Sequence, residues 1–289
     1  MEVIFQAIIA GWLTSLFTLL PTLGIGILYK HGRYLPVWLA DHGTFGVYFV
    51  HLLAAVGCSL IVGAFLSYVF AALVALLLYQ LIFNRFIENN APLAALLASI
   101  GLIQIYQALT SLYGSGKSQH FSISSLSEQF SSIISIPIYT VVLLAFLLFI
   151  TISVALYFFI TKTHLGTQVR LILSDRKLAQ HYGLPVRKLD AIALIIASTL
   201  VVTGALLKGV KYDLQPQMMF YTGITALVSC VVAGRGKYWA AAPLLAIGIE
   251  TIVSLVGLYP SISAMQRSIP LLIILIFFIA KSWTNKDNA

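Results

Sequence analysis

Long apolar runs separated by short polar breaks cover this chain from end to end. They fall at residues 4–28, 34–56, 59–82, 92–113, 138–161, 189–207, 218–233, 239–258 and 268–282. Crossing a bilayer as a helix takes roughly 20 mostly apolar residues. Inside hydrocarbon every backbone N–H and C=O needs a partner within the protein, which a helix supplies to itself. The strict alternation of a membrane β-barrel is missing. The pattern predicts an all-α, polytopic helical transmembrane protein of about 8–9 spans, organised as one domain over residues 1–289. The run at 34–56 is interrupted by Asp41, His42 and His51, so a continuous span and a broken or re-entrant helix both stay open for it.

One long polar stretch breaks the pattern, within a loop at 162–188. Lys162, Arg170, Arg176, Lys177, Arg187 and Lys188 give it six of the seventeen basic residues. It contains a predicted short helix over 174–184. Ser174 can accept a bond from a first-turn N–H, Asp175 suits the positive end of the helix dipole, Gly183 supplies a left-handed stop and Pro185 prevents continuation. Leu178 and Tyr182 stand four apart on one face, with Ala179 beside Leu178. Such a helix between two spans offers a surface for another protein to grip; an ordinary polar loop is the alternative.

Basic residues between spans mark the cytoplasmic side. With the 162–188 loop inside, alternation puts thirteen of the seventeen Lys and Arg inside and only Lys117, Lys208, Lys211 and Arg267 outside. The expected N-terminus is then external and the C-terminus cytoplasmic. A second loop, 114–137, is rich in serine and falls outside, as a linker or as a docking surface.

Composition adds exclusions. With 60% hydrophobic and 9% charged residues, a soluble domain is ruled out, and the net charge of +8 reads as loop asymmetry, with no nucleic-acid partner expected. Cys58 and Cys230 sit in apolar surroundings with no metal or disulfide spacing. The first run lacks a basic leader and a small-residue cleavage site, so it is expected to stay as a span.

Chemistry has few places to sit. Asp41 and Glu250 are the acids within apolar runs, and ionisable residues there are functional candidates. Glu250 follows Gly248 in a span that allows close helix approach, so an interhelical hydrogen bond and a solute contact both fit it. Asp41, His42 and Thr44 either line a cavity or satisfy a kinked backbone. No metal-ligand spacing, phosphate-binding loop or hydrolase motif occurs, which points away from an enzyme. Ion-coupled carriers usually need several paired titratable groups near the midplane, which two isolated acids do not provide. An ion-coupled secondary transporter therefore stands as the alternative to a driven permease, and a non-transporting assembly factor as a third reading.

Several stretches together resemble the permease subunits of branched-chain amino acid ABC importers, the LivH/LivM type: ADHGTFGVYF at 40–49, Ser99-Ile100-Gly101-Leu102 within 81–105, THLGTQVR at 163–170 followed by Ala179 and Gly183-Leu184, and VVAGRGKYWAAAPLLAIGIETIV at 231–253. The resemblance implies a bacterial inner-membrane importer subunit forming the pathway for amino acids of branched-chain type or similar small polar solutes. It implies ATP bound and hydrolysed on a separate cytoplasmic ATPase, with no cofactor on this chain, a second permease subunit, and an external substrate-binding protein. It places ATPase coupling on Asp175, Arg176, Leu178, Ala179, Tyr182, Gly183 and Leu184. The pathway candidates are Asp41, His42, Thr44, Gly101 and Glu250.

Overall fold

The computed structural model describes residues 2–32, 34–89, 91–114, 119, 138–174, 176–234, 241–259 and 263–286. Among them the regular elements are helices, with one isolated backbone bridge between Gln119 and Leu214. Helix α1 runs Glu2–Gly32, α2 Leu39–Ala55 and α3 Leu60–Leu78. A π-helical turn, Tyr79–Phe83, carries α3 into α4, Asn84–Glu88. Then come α5 (Pro92–Gly114), α6 (Ile138–Lys162), α7 (His164–Ser174) and α8 (Arg176–His181). Helices α9 (Val186–Lys211), α10 (Phe220–Ala233) and α11 (Ala242–Val256) follow, and a 3-10 turn, Ser263–Ser268, leads into α12, Ile269–Lys286. Four stretches, Val3–Lys30, Leu60–Glu88, Pro92–Gly114 and Val186–Lys211, are long and apolar enough to cross a membrane, and shorter apolar helices accompany them. The chain is a polytopic helical membrane protein.

The run at 34–56 becomes a 17-residue helix, α2, with no break. At 1.5 Å per residue it extends about 25 Å, slightly less than a bilayer core. Its interruption by polar residues is absorbed by burial among neighbours: Leu39 to Thr44 are all buried. Trp38, just before it, stacks on Phe83 with ring centroids 5.4 Å apart.

Helices α1 and α9 form the centre. α1 packs on α9, α10 and α11, while α9 also packs on α2 and α3. Small residues let these backbones approach, as membrane packing favours. Gly204 of α9 faces the Pro21 ring of α1, and a Cβ at Gly204 would lie 2.5 Å from Pro21 Cδ. Pro21 sits inside a helix where it cannot donate a backbone hydrogen bond.

A second acid is buried besides Asp41, while Glu250 is half-buried. Asp190, near the start of α9, is 3% exposed, and the Tyr79 hydroxyl donates to its Oδ2 at 2.6 Å. This bond joins the π-helical turn to the beginning of α9. Tyr79→Phe should cost roughly 1.5–3 kcal/mol, the worth of a hydrogen bond to a charged acceptor. Thermal unfolding of the purified variant in detergent measures it; an unchanged melt refutes it.

The polar loop contains more helix than its sequence predicts. His164–Ser174 forms α7, with Gly166, Val169 and Ile172 turned inward at three-residue spacing. Val169 and Ile172 join Ala179, Val186 and Leu189 in a small apolar cluster under the loop. The stop at Gly183 is as expected from its sequence. Gly183 has φ 72°, its N–H donates to Gln180 O at 3.0 Å, and the Leu184 N–H donates to Ala179 O at 3.1 Å. These two bonds make a Schellman motif. Asp175 and most of the serine-rich loop at 114–137 lie outside the described residues.

Candidate functional site

Two parts of the molecule, at opposite ends of α9, hold some of the candidate residues, and the others lie apart from both. One is the α7–α8 connection at its beginning. The other is a polar cavity at its end.

The cavity occupies about 340 Å³ between α1, α9, α10 and α11. Its lining includes Thr18 of α1, Lys208 of α9, Thr222 of α10 and Glu250 of α11. The last turn of α9 places Lys208, because the helix continues to Lys211, past the boundary at 207 expected from hydropathy. The Lys208 ammonium donates to Met218 O at 2.7 Å and to Thr222 Oγ1 at 2.5 Å. Across the cavity the Thr18 hydroxyl donates to Glu250 Oε1 at 3.2 Å. The Ser254 hydroxyl, one turn on from Glu250, donates to Ala7 O at 2.8 Å and pins α11 to α1. Glu250 thus bonds between helices and also lines the open space.

A second chamber of about 450 Å³ adjoins the first, and Lys208 and Tyr212 line both. Lys211 and Arg267 add two cations there, with Asp213 as the acid. The Lys211 ammonium lies 5.1 Å from the Tyr212 ring centroid, and the Arg267 guanidinium 5.1 Å from that of Tyr221. Cation–π contacts at this range hold the charged heads over aromatic faces. Gln119, in the serine-rich loop, meets the same region: its backbone pairs with Leu214 in both directions, at 3.0 and 2.8 Å.

Asp41, His42 and Thr44 stand apart from both chambers, in the packed interior of α2. His42 is fully buried. Its Nε2 lies 3.1 Å from Ala71 O and 3.0 Å from Ser198 Oγ, and its Nδ1 lies 2.8 Å from the Tyr106 hydroxyl. A carbonyl only accepts, so Nε2 carries the proton and Nδ1 accepts from Tyr106. The ring is thereby locked between α3, α5 and α9. Asp41 Oδ1 accepts from Gln107 Nε2 at 3.1 Å, while its Oδ2 and the Thr44 hydroxyl are buried with no hydrogen-bond partner. Gly101 lies on the exposed face of α5, with open space where a Cβ would stand.

At the other end, Leu178 and Tyr182 are 51% and 78% exposed, while Ala179 is buried and Leu184 half-buried. Gly183 shapes the turn between them. Arg176 opens α8, and its side chain is outside the described set. Leu171 of α7 is exposed beside them in the chain, a residue that sequence reading did not single out. Lys208, Thr18 and Thr222 were missed too; the lone signal was a lysine three residues short of a helix end. Among the described residues no group of three or more His, Cys, Asp or Glu is placed to hold a metal ion.

The molecule is thus a membrane bundle of apolar helices with a cavity between its central members that is lined by Lys208, Thr222 and Glu250. The chain belongs to the family described as branched-chain amino acid transport system / permease component, whose family model matches residues 8–280. No curated protein and no solved structure matches it.

Proposed function

We propose that this chain is the permease subunit of an ATP-binding-cassette importer in a bacterial inner membrane, translocating amino acids or similar small polar solutes. A cytoplasmic ATPase supplies the drive, a second permease subunit completes the path, and an external binding protein delivers the solute. The α7–α8 end is cytoplasmic in this reading and the N-terminus external, in line with the thirteen-to-four bias of basic residues. The observation that carries the reading is the pair Leu178 and Tyr182, large apolar side chains presented to solvent on a short helix between two spans. Ala179, Gly183 and Leu184 hold that helix in shape from beneath, and Leu178 and Tyr182 fill a groove of the ATPase. Asp175 and Arg176 complete the coupling segment. Closure of an ATPase pair then moves α8, and through the Gly183 turn it moves α9, which carries Lys208 at its far end.

Co-purification tests this. Wild-type chain extracted gently from its native membrane should bring an ATPase with it, and a Leu178→Asp, Tyr182→Asp variant should lose at least nine-tenths of it. Both positions are exposed, so the variant's own thermal unfolding should stay close to wild type. A wild type that brings no ATPase overturns the reading, and ion-dependent flux through the chain alone becomes the next measurement.

A further inference from the structure

From the polar cavity we infer that Lys208 and Glu250 are the two poles of a binding site for a small zwitterion. The site lies on the solute path proposed above and supplies the recognition chemistry that path needs. Lys208 receives the solute's carboxylate, and Glu250 receives its ammonium.

Three observations lead there. First, the two charges line one cavity and attract each other across it, yet no direct Lys208–Glu250 ion pair occurs among the described residues. An ammonium and a carboxylate held apart within a membrane protein are costly unless something bridges them. Second, each has bonding capacity to spare. A lysine ammonium has three donors, and Lys208 commits two, to Met218 O and Thr222 Oγ1. A carboxylate has about four acceptor sites, and Glu250 takes one bond from Thr18 with the Thr225 hydroxyl also beside it, which leaves sites over. Third, the space suits a small molecule: about 340 Å³ lies at the lower end of ligand pockets, which run about 300–1,000 Å³. Phe17 and Val253 supply apolar wall beside the charged poles, where an aliphatic side chain would rest.

The adjoining chamber extends the same logic. Lys208, Lys211 and Arg267 make its cationic side, so a carboxylate is drawn in first and handed to Lys208, the residue common to both chambers. A cleft with one dominant sign of charge raises the local concentration of the opposite sign.

Ligand-induced stabilisation of the purified full-length chain tests the site. The probes are leucine, with glycine and phenylalanine as smaller and larger zwitterions. Two relatives of leucine each lack one pole: 4-methylpentanoate has no amine, and leucinamide has no carboxylate. D-ribose serves as a neutral solute. At about a hundredfold excess over its dissociation constant, at least one zwitterion should raise the melting temperature on the order of 5 °C. The one-pole compounds should need at least tenfold more to match it. Lys208→Met and Glu250→Gln should each abolish the response, while Lys208→Arg should keep part of it. If the variants fail to fold, the three leucine-derived probes on wild type still decide. No stabilisation by any zwitterion, equal stabilisation by the one-pole compounds, or a response to ribose alone overturns the inference. The readout needs no ATPase, so this site and the importer reading fail independently.

Discussion

Replacing Gly204 by leucine should leave no correctly assembled protein to purify. A β-carbon at that position would lie 2.5 Å from Pro21 Cδ and 3.2 Å from Phe17 O, so the two central helices would have to separate. Overpacking by a few methylenes costs about 1–3 kcal/mol where neighbours can yield. Here the neighbours are a proline ring and a backbone carbonyl, and neither can turn aside. The effect should exceed that range, and the measurement is the yield of monodisperse protein after detergent extraction. Gly204→Ala should be milder and give protein with a depressed melting temperature. Leucine tolerated at wild-type yield would show that α1 and α9 do not cross where the structure puts them.

The second large effect is expected at His42. His42→Leu keeps most of the volume and removes both ring nitrogens, which strands the Tyr106 hydroxyl and Ser198 Oγ around a buried ring site, while the Ala71 carbonyl keeps its helix partner. Each buried polar group left without a partner costs about 1–3 kcal/mol. Ser198 and Tyr106 can recover something by turning towards helix carbonyls, so the sum falls below two full penalties. The variant should unfold about 10 °C or more below wild type, taking about 2–4 °C per kcal/mol for a domain of 150–250 residues. His42→Gln, which retains a donor and an acceptor, should recover part of that loss. Since His42 lies apart from both chambers, the loss should appear as instability, and the surviving folded fraction should still respond to a zwitterion. If His42→Leu melts like wild type but loses the response, His42 belongs to the solute path instead.

The helical bundle was legible in the sequence because each span carries its own signal. A run of apolar residues needs no knowledge of its neighbours, and most of the observed helices end within a few residues of the runs. Gly183 was equally readable, since a left-handed stop is a local event. What escaped depended on partners. The helix α7 hides its apolar side in Gly166, Val169 and Ile172, spaced for a helix but diluted by polar residues between them. Lys208 looked like a loop residue because hydropathy ends a span at its first charge. Only packing shows that α9 continues and that the lysine points between helices. Asp190 is buried by a tyrosine more than a hundred residues earlier in the chain, a pairing that no local pattern contains.

The candidate site shows the same division. Glu250 could be picked out alone, as an acid in an oily run, but its counterpart on α9 emerged only when α1, α10 and α11 were assembled around them. His42 was picked out for the same reason as Glu250, and the structure gives it a different setting: a ring clamped between helices, away from the cavity. An intramembrane polar residue says that something must satisfy it; the three-dimensional neighbours decide whether that is protein or solute.

The backbone pairing of Gln119 with Leu214 ties together two distant pieces of chain. Leu214 is fully buried, and the Tyr48 hydroxyl donates to its carbonyl at 3.3 Å. Its neighbours on the segment, Tyr212, Asp213 and Gln215, form part of the rim of the second chamber. Gln119 is therefore fastened by its backbone to the segment that rims the second chamber. Through Leu214 the backbone at Gln119 is anchored beside Tyr212, a residue that lines both chambers together with Lys208.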